Sequence, residues 1–150
     1  MDFLIYWLSA IPVFSVPLIL ASLGLIINER AGVLNLGAEG IMLCGALAGV
    51  AFYLLFGSNI IFGLLGSLLI GGLVGALFAI LVVIFRTNQV VTGITFVFLG
   101  SGLTGLIGPS FTDKAVKGIN GIYIPFISDV PFVGKVFFSH DPMVYFTLLL

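Results

Sequence analysis

Asn28-Glu29-Arg30-Ala31-Gly32-Val33-Leu34-Asn35-Leu36-Gly37-Ala38-Glu39-Gly40 is a polar break set between two long apolar runs. It holds three charges, two asparagines and three glycines. Upstream, the chain is apolar from Phe3 to Ile27; downstream, no Asp, Glu, Lys or Arg occurs between Glu39 and Arg86. A helix needs ~20 residues to cross the hydrocarbon core of a bilayer. The charge-free stretch is about twice that length, so it holds more than one crossing. The expected fold is an all-α membrane protein, a polytopic bundle of transmembrane helices.

Composition agrees. Hydrophobic residues make up 61% of the 150 residues and charged residues 7%, against roughly 25% charged in soluble domains. A soluble protein of this size needs a charged exterior; here lipid is the solvent that fits. The formal net charge of -1 and the lack of a basic run exclude a nucleic-acid footprint. Cys44, the sole cysteine, rules out an internal disulfide and a CxxC redox or metal motif. It reads as a small packing residue. The N-terminus has no basic segment, and its apolar run is longer than a secretory signal requires.

Four complete spans are expected, at about 3–27, 37–56, 60–85 and 90–107, with a fifth starting at 142–150. Pro12 and Pro17 fall inside the first, where proline marks a kink; Tyr6 and Trp7 suit an interfacial aromatic belt. Short links at Gly57-Ser58-Asn59 and Arg86-Thr87-Asn88-Gln89 force antiparallel neighbours. An extramembrane segment of about 108–141 contains Asp113, Lys114, Lys117, Asp129, Lys135 and Asp141. Its aromatics Phe111, Tyr123, Phe126 and Phe132 suit either contact with a partner or the lipid interface. Asp141-Pro142 suits a helix start, with an acidic cap and proline at the first helical position. Met143–Leu150 is too short to cross, so residues beyond Leu150 are expected to complete the fifth helix, making 1–150 the N-terminal part of one transmembrane domain.

Gly63, Ser67, Gly71, Gly75 and Ala79 recur every fourth residue along the third span, the spacing that lets another helix backbone approach closely. Gly45 and Gly49 repeat it on the second span, and Gly100, Thr104 and Gly108 on the fourth. Close helix packing is the plain reading of this stripe, with no transport role required.

The polar break itself has two readings. As a short loop in water, it places Arg30 at the C-terminal end of one helix and Glu39 in the first turn of the next, each matched to the helix dipole. As a discontinuous helix at membrane depth, it lines a polar path with freed backbone groups, Asn35 and Glu39. The carboxylate of Glu39 stands at an apolar boundary, where an ionisable group is a functional candidate.

The stretch from Glu29 to Gly40 resembles the signature near the start of the permease subunits of bacterial ABC importers for nucleosides and simple sugars. This is the ribose-permease-like branch, in a superfamily that also includes branched-chain amino-acid permeases. Asn88-Gln89-Val90-Val91-Thr92-Gly93 resembles a second family motif, and Ser139-His140-Asp141-Pro142 the lead-in to the next helix. Glu39 resembles the nucleoside and sugar form. The resemblance implies a multi-pass protein of the bacterial plasma (inner) membrane that forms the path for a nucleoside or simple sugar. It implies three partners besides membrane lipid: an ATP-binding ABC subunit, a second permease subunit (homologous or identical) and an extracytoplasmic solute-binding protein. It also places Glu29, Arg30 and Arg86 on the cytoplasmic side and the 108–141 segment outside. Asn35, Glu39, Asn88 and Thr92 are then the candidates for the translocation path or a broken helix.

No GxxxxGK[ST] loop is present in the chain, so ATP hydrolysis is expected on a separate chain. Paired catalytic carboxylates are also lacking, and His140 sits beside a helix cap. Enzyme activity, a cofactor and a metal site are therefore not expected. The alternative is a secondary transporter or channel using a discontinuous helix; a non-transporting scaffold fits the Glu29–Gly40 motif poorly.

Overall fold

The computed structural model describes residues 2–114, 116 and 141–149, and all of its regular elements are helical. They are α1 (Asp2–Arg30), α2 (Ala38–Leu55), α3 (Ile60–Ala79), α4 (Gln89–Ile107) and α5 (Pro142–Leu149). A π-helical turn, Ile80–Ile84, continues α3, and a 3-10 turn, Gly108–Phe111, continues α4. Among the described residues, four segments are long and apolar enough to cross a membrane: Trp7–Arg30, Ala38–Leu55, Ile60–Ile84 and Gln89–Phe111. The expected spans thus lie on helices, with one shift at the polar break. Asn28, Glu29 and Arg30 stay helical, so α1 extends past Ile27. Lys117, Tyr123, Phe126, Asp129, Phe132, Lys135 and His140, and the side chain of Tyr6, lie outside the described residues.

The chain divides into two compact units, Leu25–Lys117 and Met1–Gly24 with Gly118–Leu150. In the second of these, Ile11, Pro12, Ser15, Val16 and Ile19 of α1 line an apolar recess with Val144 and Thr147 of α5. Pro142 is the first residue of α5, as the Asp-Pro pair suggests. The Ser15 and Thr147 hydroxyls donate to carbonyls one turn back, Ile11 O and Met143 O, at 2.7 and 2.8 Å. Their polarity is therefore satisfied within the helix, which a lipid environment demands.

Within Leu25–Lys117, α2 lies between α3 and α4 and meets each through a different row of small residues. Towards α3 the row is Gly45 and Gly49, facing Gly71, Ser67 and Gly63. A Cβ on Gly49 would stand 3.2 Å from Ser67 Cβ, and one on Gly63 would stand 3.2 Å from Gly49 O. As α2 ascends from 45 to 49, its partners on α3 descend from 71 to 63, so the two helices are antiparallel. Only part of the stripe on α3 serves this seam. Gly75 has nothing within 4 Å and Ala79 is exposed. One turn before Gly45, α2 presents Ile41, which packs against the Phe78, Val82 and Phe96 cluster. A bulky side chain there holds the backbones apart, and the close approach ends.

Towards α4, Gly37 faces Gly93, and Gly40 faces Phe96, Val97 and Gly100. Here α2 and α4 run parallel. A Cβ on Gly40 would collide with the Phe96 carbonyl, and one on Gly100 with the Gly40 carbonyl. This is backbone laid on backbone, and it excludes any side chain. Of the small row on α4, Gly100 makes this contact, Gly108 has nothing within 4 Å, and Thr104 bonds back to Gly100 O. Phe78 and Phe96 close the space between α3 and α4, with ring centroids 5.5 Å apart in an edge-to-face pair.

Two substitutions separate the seams. Gly40→Ala forces a Cβ into the α4 backbone and should cost about 2 kcal/mol or more. Gly75→Ala, in open space within a helix, should stabilise by up to about 1 kcal/mol. Thermal unfolding of the purified protein in detergent checks both: the first lowers the midpoint, the second does not.

Candidate functional site

Two links meet at one end of the α2–α3–α4 unit, residues 31–37 between α1 and α2 and residues 85–88 between α3 and α4. The first begins with a helix stop written into Asn28–Val33. Gly32 takes φ +80°, which glycine adopts without strain. Its N–H donates to Glu29 O at 2.9 Å, and the Val33 N–H donates to Asn28 O at 2.9 Å. This is the Schellman pattern, and it occupies carbonyls that the end of α1 would leave free. Val33 then tucks against the cluster of Phe78, Val82 and Phe96. Next, Asn35 Oδ1 accepts the Gly37 N–H at 3.0 Å in a local turn, and α2 begins at Ala38.

The second link leaves α3 through the π-helical turn. Phe85 N–H donates to Ile80 O at 3.1 Å and Thr87 N–H to Leu81 O at 3.2 Å. The latter bond spans one residue more than the Schellman pattern, as expected when a π turn adds one residue to the helix end. Between them, Arg86 is left-handed at φ 52°, a conformation that costs a non-glycine residue roughly 1 kcal/mol or more. Asn88 then caps α4, its Oδ1 accepting from Val90 N–H at 3.0 Å and Val91 N–H at 3.3 Å.

Thr87 Oγ1 donates to Leu81 O at 2.9 Å and lies 2.9 Å from Thr92 Oγ1. A hydroxyl has a single proton, so with Thr87 committed to Leu81, Thr92 is the donor between the two. Thr92 is buried at 8% exposure, and this bond satisfies it.

The candidates therefore divide. Asn35, Asn88 and Thr92 hold turns and helix ends through the bonds above. Glu39 is exposed in the first turn of α2, and Arg30 is exposed in the last turn of α1, both matched to their helix dipoles. Glu29 and Arg86 are exposed beside them at the two links. Of the helix-packing residues, Gly63, Ser67 and Gly71 meet α2, while Gly75 and Ala79 do not. Lys114 stands 5.7 Å from the Phe111 ring centroid, beyond the opposite end of α4 from Gln89. No group of three or more metal-ligating side chains occurs among the described residues.

Sequence alone does not single out Gln89, although it stands inside the Asn88–Gly93 motif. Its Oε1 accepts the Leu34 N–H at 2.7 Å and its Nε2 reaches Gly32 O at 3.4 Å. One amide thus ties the start of α4 to the α1–α2 link. Its place beside a capping asparagine is the available signal. Its partners, 55 and 57 residues away, leave none.

Residues 7–150 match the family described as branched-chain amino acid transport system / permease component. The chain belongs to this permease family. It is a multi-pass protein of the cell membrane, in keeping with the four apolar helices among its described residues. The guanosine ABC transporter permease protein NupQ of Bacillus subtilis is 36% identical over 148 residues, covering 92% of this chain and 46% of the relative. The nucleoside ABC transporter permease protein NupC of Lactococcus lactis subsp. cremoris is 32% identical, covering 87% and 44%. A Haloferax volcanii ABC transporter permease protein, TsgC13, carries a provisional glucose name and is 36% identical, covering 88% and 41%. The chain spans less than half the length of these permeases. No solved structure matches it.

Two variants probe the links of this permease. Arg86→Gly relieves the left-handed backbone and should stabilise by up to about 1 kcal/mol, because glycine adopts that conformation freely. Asn88→Ala removes the α4 cap and should cost about 1 kcal/mol. Opposite shifts in the unfolding midpoint are the expected result.

Proposed function

We propose that this chain is the N-terminal part of one transmembrane permease domain of an ABC importer that carries a nucleoside. The observation behind this is similarity along nearly the whole chain to permeases named for guanosine and for nucleosides. A simple sugar is the second choice, supported by the relative with a glucose name. ATP hydrolysis resides on a separate ATP-binding subunit, and a second permease subunit and an extracytoplasmic solute-binding protein complete the importer. Arg30 and Arg86 face the cytoplasm, and Lys114 faces outside.

Among the path candidates, we favour Glu39. With Asn35, Asn88 and Thr92 engaged in local hydrogen bonds, Glu39 is the exposed acidic group at the start of the helix that touches both neighbours. It is the group best placed to meet the solute path or the second permease subunit. A charged hydrogen bond is worth about 1.5–3 kcal/mol. Glu39→Gln should therefore slow uptake by about tenfold or more, with assembly checked separately, whereas Asn35→Ala should act mainly through stability. Uptake of radiolabelled guanosine by the reconstituted importer measures this. Normal uptake by Glu39→Gln removes it from the path, and absence of any ATP-dependent nucleoside or sugar uptake overturns the proposed function.

Orientation has its own check. Single cysteines at positions 30 and 114, in a Cys44→Ala background, are exposed to an impermeant thiol reagent on intact cells. Position 114 should label and position 30 should not; the reverse pattern inverts the topology.

A further inference from the structure

Among the described residues, Gln89 is the side chain whose hydrogen bonds join the two links. Its amide is used at both ends, the oxygen as acceptor for Leu34 N–H and the nitrogen as donor to Gly32 O. The amide orientation is fixed by these partners, since exchanging O and N would set donor against donor and acceptor against acceptor. Gln89 is half-buried at the first position of α4, directly after the Asn88 cap. Three residues on, Thr92 donates to Thr87, which is itself bonded through both N–H and hydroxyl to Leu81 O. Two sets of hydrogen bonds, Gln89 to the α1–α2 link and Thr92 through Thr87 to the π turn of α3, are thus carried on one helical turn of α4.

We infer that Gln89 is a positioning residue that fastens the 31–37 and 85–92 segments into one plate, so that a displacement of either link is delivered to the other. Three physical features support this. Both links consist of backbone outside regular helix, which has no helical ladder of its own to hold it. Beneath them, Gly37 stacks on Gly93 with neighbouring atoms at 3.0–3.3 Å from a would-be Cβ on Gly37, leaving no slack between α2 and α4. Finally, the extra residue of the π turn and the left-handed Arg86 bring Thr87 back over the end of α3, where it bonds to Leu81 and Thr92 at once. Such a plate operates whichever solute is carried.

Hydrogen exchange read by mass spectrometry, on the full-length protein in lipid nanodiscs, tests it without substrate or ATP. Gln89→Ala should accelerate exchange in residues 33–37 by about tenfold, the equivalent of one lost hydrogen bond. Gln89→Glu keeps the acceptor for Leu34 N–H but loses the donor to Gly32 O, so its effect should be smaller. The decisive variant is Thr92→Val, which removes the Thr92–Thr87 bond on the side of that turn away from the α1–α2 link. A plate predicts faster exchange in 33–37 as well as in 85–88, while exchange along the Gly45–Gly71 seam stays at the parent rate and reports an intact fold. If Thr92→Val affects 85–88 alone, or Gln89→Ala leaves 33–37 unchanged, the two links are independent and the inference fails. Either failure leaves the permease assignment standing, because uptake tests that separately.

Discussion

The contact on which the rest of the α2–α3–α4 unit depends is the backbone-to-backbone crossing of Gly40 with Phe96, Val97 and Gly100. In lipid, apolar side chains gain little by leaving their surroundings, so helix association rests on close van der Waals fit and on polar contacts. Removing side chains at both crossing points lets α2 and α4 approach to the limit set by their main chains. Once α4 is seated there, Phe96 meets Phe78 edge to face, and Gly37 lies on Gly93. The first turns of α2 and α4 are then level. That alignment puts Gln89 within reach of Leu34 and Gly32.

The same solvent explains how polar groups are distributed. Ser22, Thr95 and Ser101 each donate to the carbonyl four residues earlier, at 2.7–2.8 Å. These hydroxyls need no partner outside their own helix. In the turn layer, helix ends leave backbone groups to be satisfied, and there Gln89 bonds across 55 and 57 residues. Asn35, Asn88, Thr87 and Gln89 each bond a backbone group there, and Thr92 bonds the Thr87 hydroxyl. Asn35 and Asn88 each accept a backbone N–H just before or at the start of a helix. Glu39 is different because its carboxylate stands exposed in the first turn of α2.

Much of the architecture is legible in the order of residues alone. A charge-free stretch of twice the crossing length, punctuated by Gly57-Ser58-Asn59, divides into two spans with little ambiguity, because lipid penalises unpaired backbone and charge alike. The four residues after Phe85 likewise mark a return. The end of α1 is less legible: Asn28, Glu29 and Arg30 are polar, yet they remain helical because the stop is Gly32, beyond Arg30. The stripe on α3 is visible as a pattern, but its extent is not. Gly75 and Ala79 continue the spacing without continuing the seam, since Ile41 stands where α2 would need another small residue.

Sequence by itself determined the solvent, the apolar segments long enough to cross it, their short links and the helix-ending residues, because each follows from local composition and backbone preference. Membership of the permease family was also carried by its motifs, which lie within contiguous stretches. Tertiary structure alone decided which glycines meet, that α2 serves α3 and α4 through separate rows, and that Gln89 ties two distant links. Those outcomes depend on how each helix is rotated and where it crosses its neighbour. Several rows of small residues were available on these helices, and only mutual fit selects among them.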